Sequence, residues 1–258
     1  MIRLLLKTIR FWRRNGLMLT FRRAVSLLSK DRKYTFSEIY NNNFWENAES
    51  ASGSGSSELA TREIRAQLPV IFLKWNLKNI IDAPCGDFNW MKLVKFDNDM
   101  RYTGIDIVPK LISANSAKYS SIHLRFILAD LVTDKIPKGD IVICRDCLFH
   151  LSYDDILSFL KNFVASGTEF LLTTTHKNED GFLNSDILTG EFRLIDLFSP
   201  PFSLPKDVFY RFDDFIAPYP PREMCLWNRA QIMKALSISA DFEPTAAIRR
   251  FADEAASA

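Results

Sequence analysis

No G-x-G-x-x-G run occurs in the 258 residues, so nothing marks a pyrophosphate-binding dinucleotide loop, and nicotinamide or flavin chemistry is disfavoured. No secretory signal precedes the four cysteines, Cys85, Cys144, Cys147 and Cys225. A disulfide framework is therefore not expected, and a reducing cytoplasm is. Cys144 and Cys147 have C-x-x-C spacing, yet no second pair or histidine cluster completes a zinc site. The expectation is buried thiols and no metal. Internal repeats are missing too. No basic stripe crosses the chain beyond residue 33, which speaks against a nucleic-acid substrate.

What is present begins with size and charge. Nearly half of the residues are hydrophobic, enough for one substantial core with additions. The net charge is only +2, but residues 1–33 hold ten Lys or Arg against the single acid Asp31, leaving the remainder acidic. Ile2, Leu5, Leu6, Ile9 and Trp12 share one helical face, with Arg3, Lys7, Arg10, Arg13 and Arg14 largely opposite. Leu17, Phe21, Ala24, Val25 and Leu28 repeat the pattern beyond Asn15 and Gly16. Neither run approaches the roughly twenty residues that span a bilayer. Three readings fit this basic amphipathic helical extension: a hairpin on the anionic inner face of a membrane, a lid on the following domain, or a transit peptide. Residues 34–57 then turn polar, and SGSGS at Ser52–Ser56 is either a flexible linker or an anion-holding loop before a helix opened by Ser56 or Ser57.

From Asn79 the pattern changes. NIIDAPCGDFNW is an apolar run ending in Asp82, followed by a small-residue turn that carries Pro84, Cys85 and Gly86. Such a turn lays backbone N–H groups against a ligand. RYTGID repeats the format about twenty residues later and ends in Asp106, where a carboxylate accepts both hydroxyls of a ribose. Without pyrophosphate chemistry, a nucleoside is the expected occupant. Periodicity predicts strands at 79–83, 101–106, 124–129, 141–144 and 170–174. Helices are expected around 89–95 and over 109–119 and 153–165, the last opened by a Ser152/Asp155 capping box. Alternating strands and helices imply a mostly parallel sheet with its crevice at the strand carboxyl ends, where Asp82, Asp106 and Asp130 all fall. Beyond Lys177, PPFSLP and APYPP suggest a substrate-side lid before a final strand around 224–227.

Six segments in this order carry a resemblance over roughly 45–227: SGSGS, DAPCGDFNW at Asp82–Trp90, GID at Gly104–Asp106, ADL at Ala129–Leu131, CRDCLFHLS at Cys144–Ser152 and LLTTT at Leu171–Thr175. The chain resembles the class I S-adenosylmethionine (SAM)-dependent methyltransferases, in a bacterial branch carrying D-x-P-C-G-D-F-N-W. The resemblance implies a Rossmann-like α/β domain over 58–235 with a seven-stranded, mostly parallel sheet flanked by helices, and a C-terminal tail over 236–258. The usual first loop keeps only its middle glycine, Gly86. Pro84 and Phe88 stand where glycines are common, and proline fixes φ and removes a donor.

The same resemblance implies roles. Asp106, beside Ile107, would bind the ribose. Asp130 and the Leu131 N–H would read the adenine. Pro84, Cys85, Gly86 and Trp90 would form the first loop around the methionine part, with Asp82 or Asp87 near its ammonium, and Ser54 and Gly55 would close over its carboxylate. The segment after the fourth strand offers Arg145, Asp146 and His150 for the chemistry. His150 suits a general base, with His176 as its rival. Arg145 would orient an anionic or sugar acceptor, or pair with Asp146. The expected reaction is methylation, most readily of a hydroxyl on a glycan or other small or lipid-linked acceptor. A SAM-binding, membrane-docking module without turnover is the rival.

Overall fold

A computed structural model describes residues 31–237 and, before them, Val25. The extension expected over 1–33 therefore lies almost wholly outside the described residues, as does the tail beyond Ser237.

Seven strands form one sheet: β1 (Asn79–Asp82), β2 (Arg101–Asp106), β3 (Leu124–Leu128), β4 (Ile141–Cys144), β5 (Phe170–His176), β6 (Tyr210–Asp213) and β7 (Arg222–Asn228). Their order is β3-β2-β1-β4-β5-β7-β6. The first five in chain order pair in parallel, while β7 runs antiparallel to both β5 and β6. The helices are α1 (Arg32–Asn41), α2 (Arg62–Lys74), α3 (Pro109–Tyr119), α4 (Tyr153–Ser166) and α5 (Arg229–Ala235).

Central strands covered on both faces need apolar residues at every position, and these have them. Alternate residues feed two cores. Ile81, Val142, Leu171 and Trp227 join Ile156, Phe159, Leu160 and Phe163 of α4 on one face. Ile80, Ile143, Leu172 and Leu226 join Ile64, Leu68, Ile71 and Phe72 of α2 on the other. Among the described residues no helix is long and apolar enough to cross a membrane.

Four local expectations are corrected. Residues 34–57 do not begin as a linker, because Asp31 accepts the Tyr34 N–H as N-cap of α1, and Thr35 and Ile39 are buried. The helix after SGSGS starts only at Arg62; Ser54–Ser56 is a single 3-10 turn, cut off by Gly53 at φ +92° and by extended Ser57. Around 89–95 there is only another such turn, Met91–Leu93. Phe88 sits at φ +58° and Val94 is extended, so neither end of the turn can continue a helix. The capping box is half made: Ser152 Oγ accepts the Asp155 N–H, but the Asp155 carboxylate turns to Arg32 and Thr189.

Candidate functional site

A crevice with about 970 Å3 of empty space, counted out to its open mouth, lies at the carboxyl ends of β1 to β4. The parallel strands end here together, so each contributes its last residue or the loop beyond it. Pro84, Cys85, Gly86 and Trp90 come from the β1 loop, Asp106 and Ile107 from β2, and Asp130 and Leu131 from beyond β3. Arg145, Asp146 and His150 follow β4. Helix α1 adds Arg32, Phe36 and Tyr40, and the segment after it adds Trp45, Ser52 and Ser56.

The β1 loop closes against SGSGS. Gly86, at φ +55°, would drive a Cβ to 2.2 Å from Ser52 Oγ, so glycine is required on two counts. Asp87 accepts from Ser50 Oγ at 2.9 Å and from the Ala51 N–H at 2.8 Å. It therefore pins the incoming chain and does not border the crevice. Asp82 does not border it either. Its carboxylate is buried and accepts from Tyr102 Oη at 2.7 Å. Burial pushes it up to about 7, against the pull of that hydrogen bond. Neither acid assigned to the ammonium faces the space, and Ser54 and Gly55 do not border it, whereas their neighbours Ser52 and Ser56 do.

Asp106 does face it. One oxygen accepts the Gly86 N–H at 3.0 Å and the other the Val108 N–H at 2.9 Å. Burial pushes this carboxyl up to about 6, opposed by those N–H groups. Asp130 accepts the Val132 N–H and pairs with Arg32 at 2.8 Å. Arg32 also reaches Asp155 at 2.9 Å, tying α1 down over the crevice.

Past β4 the charges are paired. Arg145 Nε donates to Asp214 at 2.6 Å, and Nη1 donates to the Gly55 carbonyl at 2.8 Å. Arg222 donates to both oxygens of Asp146, at 3.0 and 2.9 Å. Burial alone would raise the Asp146 carboxyl, but Arg145 and Arg222 outweigh it and hold Asp146 below the usual carboxylate range. Asp146 is thus an ion-paired support, at φ +51°, and not a proton acceptor. Its carboxylate leaves no room beside it: a Cβ on Gly55 would lie 2.7 Å from Oδ2. Sequence reasoning missed Arg222 and Asp214, and also Arg32, Phe36, Tyr40 and Trp45. The first two arrive from the proline-punctuated segment, whose pattern gave no sign of facing β4.

His150 donates its Nδ1–H to the Glu191 carbonyl at 2.7 Å, which orients the ring and makes Nε2 the basic nitrogen whenever the imidazole is neutral. Its ring contacts those of Phe149, Trp45 and Phe192, at 4.7, 5.7 and 5.9 Å. His176 does not border the crevice: it is 3% exposed, accepts the Ile195 N–H, and is held neutral down to about 4 by burial and by Arg222.

No protein-family model matches the chain, and no curated protein matches its sequence. Solved structures do match its fold. Magnesium protoporphyrin IX methyltransferase from Synechocystis PCC 6803 with bound S-adenosylhomocysteine (SAH) aligns with a TM-score of 0.54 at 13% identity, over 77% of this chain and 100% of its own. An N-methyltransferase from Bradyrhizobium japonicum WM9, in complex with SAH, gives 0.54 at 13% over 77% and 98%. The 1,6-didemethyltoxoflavin-N1-methyltransferase of Burkholderia thailandensis gives 0.55 at 14% over 76% and 86%. These likenesses cover about three quarters of this chain, and its fold is the Rossmann-like fold of those methyltransferases.

Proposed function

We propose that the protein is an enzyme that transfers the methyl group of SAM to a hydroxyl of a small-molecule or glycan acceptor. The observation that supports this best is the row of groups along one crevice: Asp130, Asp106 and Gly86 at successive strand ends, then His150 at the mouth. The residues fit the donor. Asp106, held by two N–H groups, keeps lone pairs for a ribose diol, and Leu131 and Ile107 offer apolar surface to a base. Bound there, SAM supplies a methyl group on a positively charged sulfur that leaves as a neutral thioether.

The protein's own contribution is placement and one proton. Trp45 lines the crevice and its ring contacts that of His150, so an acceptor packed on Trp45 brings its hydroxyl toward Nε2. His150 Nε2 takes that proton as the oxygen–methyl bond forms, and the Glu191 carbonyl keeps the ring oriented. Asp146 is committed to Arg222, and His176 is enclosed, which leaves this role to His150. The test is His150→Ala. Turnover with a hydroxyl acceptor should fall about 10²- to 10⁴-fold while calorimetric SAM affinity stays within about twofold. Undiminished turnover would remove His150 from the chemistry. SAM binding with no methyl transfer to any acceptor would favour a binding module over an enzyme.

A further inference from the structure

Strand β6 is the last in the sheet order, and among the described residues it pairs only with β7. Which of its backbone groups are used follows from the ladder. The Asp214 N–H donates to the Arg222 carbonyl at 3.1 Å, and bonded positions alternate along an antiparallel pair. Phe212 and Tyr210 therefore exchange hydrogen bonds with Met224 and Leu226, while Arg211 and Asp213 turn their N–H and C=O groups away from β7. Their side chains are exposed too, at 45% and 58%. An open edge of this kind is a template for another strand.

The residues on the edge say which strand fits. Two copies related by a twofold axis pair antiparallel, and their outward groups can set Arg211 against Arg211, Asp213 against Asp213, or each Arg211 against the other copy's Asp213. Only the last puts opposite charges face to face, and it alone joins the outward groups of both residues to one another. Phe212 then meets its own copy across the axis, on the other face of the strand. Charges on a short edge strand ordinarily keep strands apart; here their order admits this one pairing. The opposite edge, β3, carries Arg125 as its only charge and has no such match with itself.

Helix α2 adds apolar surface beside the edge. Tyr210 Oη donates to Gln67 at 2.7 Å, and Lys74 Nζ lies 5.4 Å from the centre of the same ring, so the face of α2 that holds positions 67, 70 and 74 borders β6. Val70 on that face and Leu73 one turn on are exposed, as is Phe209 just before the strand. A twofold axis perpendicular to the sheet carries α2 of both copies to the same side of it.

We propose that the protein is a homodimer in which the β6 strands of two copies pair antiparallel about Phe212, with Arg211 of each opposite Asp213 of the other. Two seven-stranded sheets become one, and Asp214, next in the chain and bonded to Arg145, ties the β4 wall of the crevice to the seam. Lys177 at 2.6 Å from Asp213 and Glu223 at 3.6 Å from Arg211 extend the new pairs into a network within each copy.

Sedimentation equilibrium of the full chain tests this. The mass should rise from one chain toward two as the concentration passes through about 1–100 µM, as suits a small interface. Arg211→Asp leaves only acids on the edge and Asp213→Arg only bases, so each variant alone should dimerise at least about tenfold more weakly. An equimolar mixture of the two should recover the wild-type affinity to within about threefold, because every acid then meets a base. A wild-type monomer at every concentration, an undiminished dimer in both variants, or a mixture of folded variants that stays monomeric overturns the proposal. Hydrogen exchange on the wild-type protein reads the seam without any variant: the Arg211 and Asp213 amides should exchange at least about tenfold more slowly in concentrated than in dilute samples. Rates independent of concentration overturn it, whether fast because the edge stays open or slow because another segment of the chain covers it.

Discussion

The two ends of the crevice treat buried charge in opposite ways. Past β4, Arg145 and Arg222 face Asp146 and Asp214 in a quartet whose charges cancel. At β1 and β2, Asp82 and Asp106 are buried with only a phenol and backbone N–H groups for partners, and both carboxyls are pushed up, to about 7 and about 6. Closed ion pairs make a rigid wall and ask nothing of a ligand. Of the two, only Asp106 borders the crevice, and a carboxylate held by N–H groups alone is stabilised by a hydroxyl-bearing group that comes to it, as a ribose would. On this contrast the β4 end is scaffold, and the β2 end is the part that ligand binding completes.

The sharpest way to break the contrast is to open the quartet. Arg222→Met removes the bidentate partner of Asp146 and leaves it the 3.4 Å contact with Arg145 and the Thr174 hydroxyl at 3.3 Å. Losing one partner of a buried pair costs about 3–5 kcal/mol. The lower end is expected here, since Asp146 keeps 17% of its side-chain surface. Urea unfolding measures it, and a loss below about 1 kcal/mol would mean that the quartet is no scaffold.

At the other end, Asp106→Ala should weaken SAM binding by about 1.5–3 kcal/mol, the range for hydrogen bonds to a charged group, and leave the protein folded. It should also change the pH dependence of the ligand-free protein. The folded-state value near 6 exceeds the ordinary value of about 3.9, so Asp106 contributes stability that is fully present below pH about 4 and lost as pH rises through about 6. The variant should lose that part of the decline and keep the part that Asp82 imposes up to about 7. Calorimetric titration and thermal melts from pH 4 to 8 read both effects. Unchanged SAM affinity would mean that the crevice serves another ligand.

How much of this the sequence reveals follows from distance along the chain. Asp82, Asp106 and Asp130 are legible because each ends or follows an apolar run, and parallel strands bring run ends together. The last strand in chain order is legible in the same way, as the apolar stretch that becomes β7, whereas the edge strand β6 is not. Arg222 and Asp214 are not, since they meet Asp146 and Arg145 across 76 and 69 residues, from a segment whose prolines hide its register. Helix α1 escapes notice for another reason: Arg32 and Lys33 read as the end of a basic extension, and only tertiary pairing with Asp130 and Asp155 gives Arg32 its place. Asp87 shows the reverse error. A motif acid beside Gly86 looks like a ligand contact, yet it satisfies the backbone of the loop that covers the site.

The smallest effect is expected where the two ends are joined by α1. Arg32 reaches Asp130 on the donor side and Asp155 at the start of α4, with about a fifth of its side chain exposed. Partly exposed ion pairs contribute about 0.2–1 kcal/mol, so Arg32→Ala should leave global stability nearly unchanged. Its consequence is kinetic. Arg32, Phe36 and Tyr40 line the crevice from above, and loosening this end of α1 should let the donor escape sooner. Because Asp130 Oδ1 takes only the Val132 N–H, it retains a lone pair for an adenine amine, so arginine and ligand share the carboxylate. Stopped-flow binding of SAM should therefore show a dissociation rate raised about two- to fivefold with little change in the association rate. Tighter binding in Arg32→Ala would mean that Arg32 competes with the donor for Asp130, and that α1 must be displaced before this end can be filled.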